Sequence, residues 1–153
     1  MGLDTSHGCW HGAYSAFMRW RQELAKVVGY PPLELMEGFW DTEKAVLGNP
    51  FWLQYESDKK QNYTGDYSIW RRLPIRWDCL KPSALQILLH HSDCEGEIRW
   101  QDCRDIALAL EKLIPSLPQT PDNGHIGDWK EKTRTFIKGL RLAAKNKENV
   151  LFH

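Results

Sequence analysis

The sequence predicts an α+β protein that is mainly helical: about four helices and a minor sheet of short strands, packed in layers as one globular domain over residues 1–153. Three observations lead there. Apolar residues recur at helical spacing in several stretches, and each stretch carries recognisable start or stop signals. Aromatic residues make up 12% of the chain and include eight Trp, which supply bulky, rigid anchors for a buried layer. A length of 153 residues, with 42% hydrophobic content, suits one domain with a core that needs no staples.

In chain order, the first helix is expected from His11 to Val28. Tyr14, Phe17, Met18, Leu24, Val27 and Val28 recur at its spacing, and Arg19, Arg21, Gln22, Glu23 and Lys26 supply a wet face. Gly29 and Tyr30-Pro31-Pro32 end it. Leu33 to Trp40 alternates partly, as an extended segment or a short helical turn would. From Asp41 to Trp77, Gly48-Asn49-Pro50 and Thr64-Gly65-Asp66 punctuate short aromatic pieces, which predicts loops with short strands.

Pro82 suits the first turn of a second helix, with Leu85, Leu88 and Leu89 as its apolar stripe up to His90-His91. A third is expected from Trp100 to Leu113, with Ile106, Leu110 and Leu113 on one face and Pro115 closing it. Pro115 to Gly127 has the composition of an irregular loop. Asp128 is a good N-cap for a last helix through Lys145, with Phe136, Leu140 and Ala143 or Ala144 facing the core. Val150-Leu151-Phe152 follows as a terminal strand.

Lys plus Arg equals Asp plus Glu, 20 against 20. The chain therefore lacks the basic footprint of a duplex-binding protein, and nucleic acid is not the expected partner. Zero net charge favours association, so a homo-oligomer is open. No long apolar run predicts a membrane span, and no basic start followed by an apolar stretch predicts export. Cys9, Cys79, Cys94 and Cys103 form no CxxC pair, so reduced thiols and a cytoplasmic location are the expectation.

The chemistry-bearing residues gather in two clusters. Asp4-Thr5-Ser6-His7-Gly8-Cys9-Trp10-His11 holds alternating His7, Cys9 and His11, which an extended backbone would aim at one point. Zinc would accept them with His91 or Asp93 as a fourth ligand, although no CxxC or HExxH pair is present. Alternatively Asp4, Thr5 or Ser6 caps backbone donors, while His7 and His11 make buried hydrogen bonds. A third reading is an anion site at a helix start, with Tyr14 one turn in and Arg134 or Arg141 completing it from the last helix.

The second cluster is His90-His91-Ser92-Asp93-Cys94-Glu95-Gly96-Glu97-Ile98. Laid over a calcium loop from His91, it places Asp93 and Glu95 at the third and fifth positions, Gly96 at the sharp turn and Ile98 at the apolar eighth. His91 at the first position and Asp102 at the twelfth are the wrong ligands. The expectation is a helix–loop–helix turn that shares only the geometry. Cys94 with His91 as base would make a nucleophile; a packed thiol is the plainer account.

The Gly-Leu-Asp-Thr-Ser-His-x-Cys-Trp-His-Gly-Ala-Tyr-Ser run, the His-Ser-Asp-Cys-(acid)-Gly-Glu-Ile loop and the closing Phe-Ile-x-Gly-Leu-Arg-x-Ala-Ala…Val-x-Phe-His resemble a set of small uncharacterised bacterial and phage proteins. The resemblance covers both ends and the loop. In that set an Asp stands where this chain has Gly8 and another where it has Glu95. The resemblance implies a shared site. By analogy with small phage proteins that capture or destroy a host nucleotide signal, it also implies a small ligand.

The leading expectation is therefore a binding protein for a small phosphorylated or nucleotide-like ligand. In it His7, His11 and His91 donate hydrogen bonds, Tyr14 stacks, Arg134 or Arg141 meets an anion, and Asp93 orients a histidine. No cofactor is expected, zinc being the exception considered. The alternatives are a small hydrolase, zinc-dependent or using Cys and His, and a protein-interaction module with an exposed aromatic patch within residues 39–77.

Overall fold

A computed structural model describes residues 2–39, 75–119 and 128–153. Among these the chain forms four α-helices and two short antiparallel ribbons, the mainly helical α+β arrangement expected. Strand β1 (Gly2–Asp4) pairs with β2 (His11–Ala13), with Leu3 opposite Gly12. A 3₁₀ turn at Ser6–Gly8 lies between them.

Helix α1 (Tyr14–Val28) follows β2 directly. The expected start at His11 is corrected: residues His11–Ala13 are strand. Gly12 has φ +152°, which only glycine adopts readily, and β1 satisfies this backbone instead of a helical turn. The stop is as expected. Gly29 is left-handed at φ +86°, its N–H bonds Lys26 O at 3.1 Å, and Tyr30 N–H bonds Ala25 O at 2.9 Å. The wet face needs a second correction. Arg21 belongs to the buried stripe of Phe17, Trp20, Leu24 and Ala25 and is 1% exposed.

Leu33–Leu35 makes a 3₁₀ turn, after which Met36 bridges Ile75 in parallel. The expectation of loops with short strands from Asp41 lies outside the described residues as far as 74, as does most of the proposed aromatic patch. At its end Trp77 is buried and opens a 3₁₀ turn, Trp77–Cys79. Helix α2 (Leu85–Leu89) starts later than Pro82, because Ser83 Oγ accepts the Leu85 N–H at 3.1 Å and the chain turns there first. Leu85, Leu88 and Leu89 are buried as expected.

Strand β3 (Gly96–Ile98) leads into α3 (Trp100–Leu113), which has the expected bounds. Ile106 and Leu110 are buried with Cys103 and Ala107, whereas Leu113 only packs against the core's edge. Pro115 lies in a 3₁₀ turn, Ile114–Ser116; residues 120–127 of the expected loop are outside the description. Helix α4 (Trp129–Asn146) begins at Asp128, whose carboxylate accepts the Lys130 N–H at 2.9 Å. Strand β4 (Val150–Phe152) then pairs antiparallel with β3.

The two ribbons join. Asp4 N–H donates to His153 O at 2.9 Å, His153 N–H returns the bond at 3.0 Å, and Thr5 bridges Phe152. The spatial order is thus β2–β1–β4–β3, with the last strand in the middle. Behind this layer the rings of Trp10, Phe17, Trp20, Phe136 and Phe152 pack together, with centroids 4.9–5.9 Å apart along the chain of contacts. Trp20 Nε1 donates to Thr133 Oγ1 at 2.9 Å, which satisfies the indole between α1 and α4.

Helix α4 meets the first cluster at Gly139. A Cβ there would lie 2.4 Å from Cys9 Sγ and 2.9 Å from the Cys9 Cα and N. Alanine normally helps a helix by about 1 kcal/mol over glycine. Here backbone must move, so Gly139→Ala is expected to lower stability by about 1–3 kcal/mol in urea unfolding.

Candidate functional site

The segment Thr5-Ser6-His7 and the 90–98 loop reach opposite edges of β4. On the first side, Leu151 N–H donates to Ser6 Oγ at 2.8 Å, and Ser6 Oγ lies 2.8 Å from His7 Nδ1. His7 Nε2 is 2.7 Å from Glu148 Oε2. His7 has φ +60°, a left-handed backbone unusual outside glycine, and this folds its ring back onto the preceding side chain. Glu148 is delivered by a second left-handed residue, Lys147 at φ +58°, which ends α4 while Glu148 N–H bonds Ala143 O at 3.0 Å. Asn149 completes the segment by accepting the Trp100 N–H at 3.0 Å, capping α3.

On the other side, the His91 ring packs on Phe152 with centroids 4.0 Å apart, and its Nδ1 lies 2.8 Å from Ser92 O. Gly96, at φ +101°, takes the sharp turn as the calcium-loop alignment expected. A Cβ at that position would lie 3.3 Å from His91 Cε1 and Nε2, so glycine also makes room for the imidazole. Ile98 is buried at the apolar position.

The cation in this loop is Arg21. Its Nη1 donates to His91 O at 2.6 Å and Leu89 O at 3.2 Å, with Leu88 O at 3.4 Å. Its Nη2 pairs with the Asp93 carboxylate, and the guanidinium lies 4.6 Å from the centre of the Phe17 ring. Leu88 O also accepts the His91 N–H at 3.3 Å, and all three carbonyls lie at or just beyond the C-terminal end of α2, the negative end of its dipole. Burial pulls the Arg21 pKa down and Asp93 pushes it back up. Asp93 thus orients an arginine, where a histidine was expected.

The remaining candidates are dispersed. His11 is 88% exposed and pairs with Asp4 across the β1–β2 ribbon. Tyr14 is half-buried against the core. Arg134 pairs with Glu131 at 3.5 Å, and Arg141 reaches Glu111 on α3 at 2.5 Å. The α4 residues that face the first cluster are Lys132, whose Nζ donates to His11 O at 3.4 Å, and Gly139. Arg134 and Arg141 each follow one of these by two positions, roughly 160° round the helix at 3.6 residues per turn. They point away from His7 and His11.

His7, Cys9 and His11 do not converge either. Cys9 is buried beneath Gly139, and burial with the neighbouring Cys103 pushes its thiol up to about 12, which disfavours the thiolate that metals require. Among the described residues no three His, Cys, Asp or Glu side chains are grouped to hold a metal ion. Cys94 is exposed and 3.6 Å from Ser92 Oγ; the contacts of His91 run to Ser92 O and Phe152. The capping expectation is met in part. Thr5 Oγ1 accepts the Trp10 N–H at 2.8 Å and Ser6 Oγ accepts from Leu151, but His11 is on the surface.

Sequence reasoning missed three residues: Arg21, Ser6 as a partner of His7, and Glu148. Arg21 left a signal, since it lies four residues after Phe17 and three before Leu24, in phase with the apolar stripe. Glu148 left none. Set against protein-family models, curated proteins and solved structures, the chain matches none. No described helix is long and apolar enough to cross a membrane.

Two outcomes follow from these contacts. Arg21→Met is expected to cost about 3–5 kcal/mol, because it uncaps α2 and strands Asp93. Asp93→Asn should cost less than about 2 kcal/mol, since the carboxylate is partly solvated and the carbonyls keep their donors. Equal losses in urea titrations would contradict this division. Hydrogen bonds from His7 and then Asn146 hold the Glu148 carboxyl below its ordinary 4.5. A lowered folded-state pKa stabilises above the unfolded value and stops doing so as pH falls through the folded value. The stability advantage of the wild type over Glu148→Gln should therefore be present at neutral pH and vanish below 4.5, as followed by melting temperature.

Proposed function

We propose that the protein binds a small molecule at β4, between the Thr5–His7 segment and the 90–98 loop. One observation carries this reading: segments remote in sequence, both rich in His, Ser and acid, are held against the two edges of a single three-residue strand. Two histidines, the left-handed backbone of His7 and a glycine making room for His91, all beside one three-residue strand, support it. The ligand class proposed is small and phosphorylated or nucleotide-like. Ser6, His7 and His91 supply its hydrogen-bonding groups, and Arg134 and Arg141 are excluded by their position. The resemblance to phage proteins brings a host nucleotide signal forward within that class.

A panel of nucleotides and inorganic phosphate, titrated into the protein with melting temperature as readout, tests the reading. A ligand at one hundred times its Kd should stabilise by about 2.7 kcal/mol. His91→Ala should weaken the shift and Arg141→Ala should leave it unchanged. No stabilisation by any member would reject the ligand class.

A further inference from the structure

We propose that Ser6 is a catalytic nucleophile, with His7 as its base, in the hydrolysis of small carboxylate esters. This rests on β4 being a ligand site and names a reaction there. The donor and acceptor inventory leads to it. Leu151 N–H donates to Ser6 Oγ at 2.8 Å and occupies an acceptor position of the hydroxyl. The hydroxyl hydrogen then has two acceptors: His7 Nδ1 at 2.8 Å and Asn149 O at 3.5 Å. The shorter contact makes Nδ1 the acceptor. The ring proton is accordingly on Nε2 and donates to Glu148 Oε2 at 2.7 Å. Nucleophile, base and orienting carboxylate stand in one line of hydrogen bonds.

Backbone and access agree. Among the described residues only His7 and Lys147 are non-glycine residues with positive φ, and they flank the two sides of this relay. Sparsely populated backbone that recurs at one contact is a mark of functional sites. Next to His7, a Cβ added at Gly8 would meet nothing within 4 Å, so the chain beside the base is open.

In the reaction, the Ser6 hydroxyl proton passes to His7 Nδ1 as Oγ bonds to the ester carbonyl carbon. The carbonyl–alkoxide bond then breaks, and the imidazolium returns that proton to the leaving alcohol. Water repeats the sequence on the acyl-serine, releasing the carboxylic acid and restoring Ser6. Glu148 is a positioning residue, which holds the Nε2–H tautomer and stabilises the imidazolium.

The full chain is incubated with a fluorophosphonate probe, followed by intact mass and peptide mapping. One adduct on Ser6 is expected, with p-nitrophenyl acetate turned over faster than in buffer. His7→Asn, which retains a residue tolerant of left-handed backbone, should slow labelling at least tenfold. Glu148→Gln should slow it less and change the pH profile of labelling. Mapping on the wild type keeps the test valid if Ser6→Ala does not fold. Absence of an adduct at Ser6 in folded wild-type protein, or an unchanged rate in His7→Asn, overturns the proposal even if nucleotides stabilise the protein. Labelling of Ser6 without nucleotide stabilisation supports it and rejects only the ligand class.

Discussion

A single buried guanidinium sets the geometry on which the site at β4 depends. Arg21 stands in the apolar stripe of α1, yet its charge is spent on carbonyls at and just beyond the end of α2 and on Asp93. Water is replaced there by fixed protein acceptors, which is the condition under which a buried charge is tolerated. The contact settles where α2 ends and how the 90–98 loop leaves it. That in turn places His91 on Phe152 and β3 beside β4. The calcium-loop alignment acquires a physical meaning in this light. The turn shares the left-handed Gly96 and the buried Ile98 of that alignment, and the cation beside it is Arg21 from a neighbouring helix.

Much of the fold was legible because periodicity and capping are local. The bounds of α3, the Asp128 cap, the Gly29 stop and the 150–152 strand all follow from residues within a turn or two of each other. What was not legible is non-local. Nothing near His11 announces that it pairs with β1, and nothing near Val150 announces β3 as its partner. Arg21 shows the limit of reading polarity as exposure. Its phase within α1 pointed inward, and only a set of carbonyls some seventy residues away explains why the charge is tolerated there.

The candidate site was legible to the extent that both clusters were singled out and do approach one strand. The roles of their members were not. His7, Cys9 and His11 alternate in sequence but occupy a 3₁₀ turn, a buried packing position and an exposed strand. Alternation predicts a shared face only for extended backbone, and the positive φ of His7 and Gly8 breaks it. Glu148, which completes the relay, lies just beyond a helix in a segment whose composition is that of any solvated helix end. Its role arises from the Lys147 turn alone.

The central place of β4 has a kinetic side. The bonds of His153, just after it, to Asp4 close a loop of almost the entire described chain, whereas α1, α3 and α4 each form from neighbours in sequence. Contacts of that separation are expected late in folding, after the helices have restricted the chain. They also belong to a short element whose buried Val150 and Phe152 tie it to the helical core. Release of this one strand would separate Ser6 from its donor Leu151 and Phe152 from His91 together. Amide exchange at Leu151 and His153 would thus report the intact site.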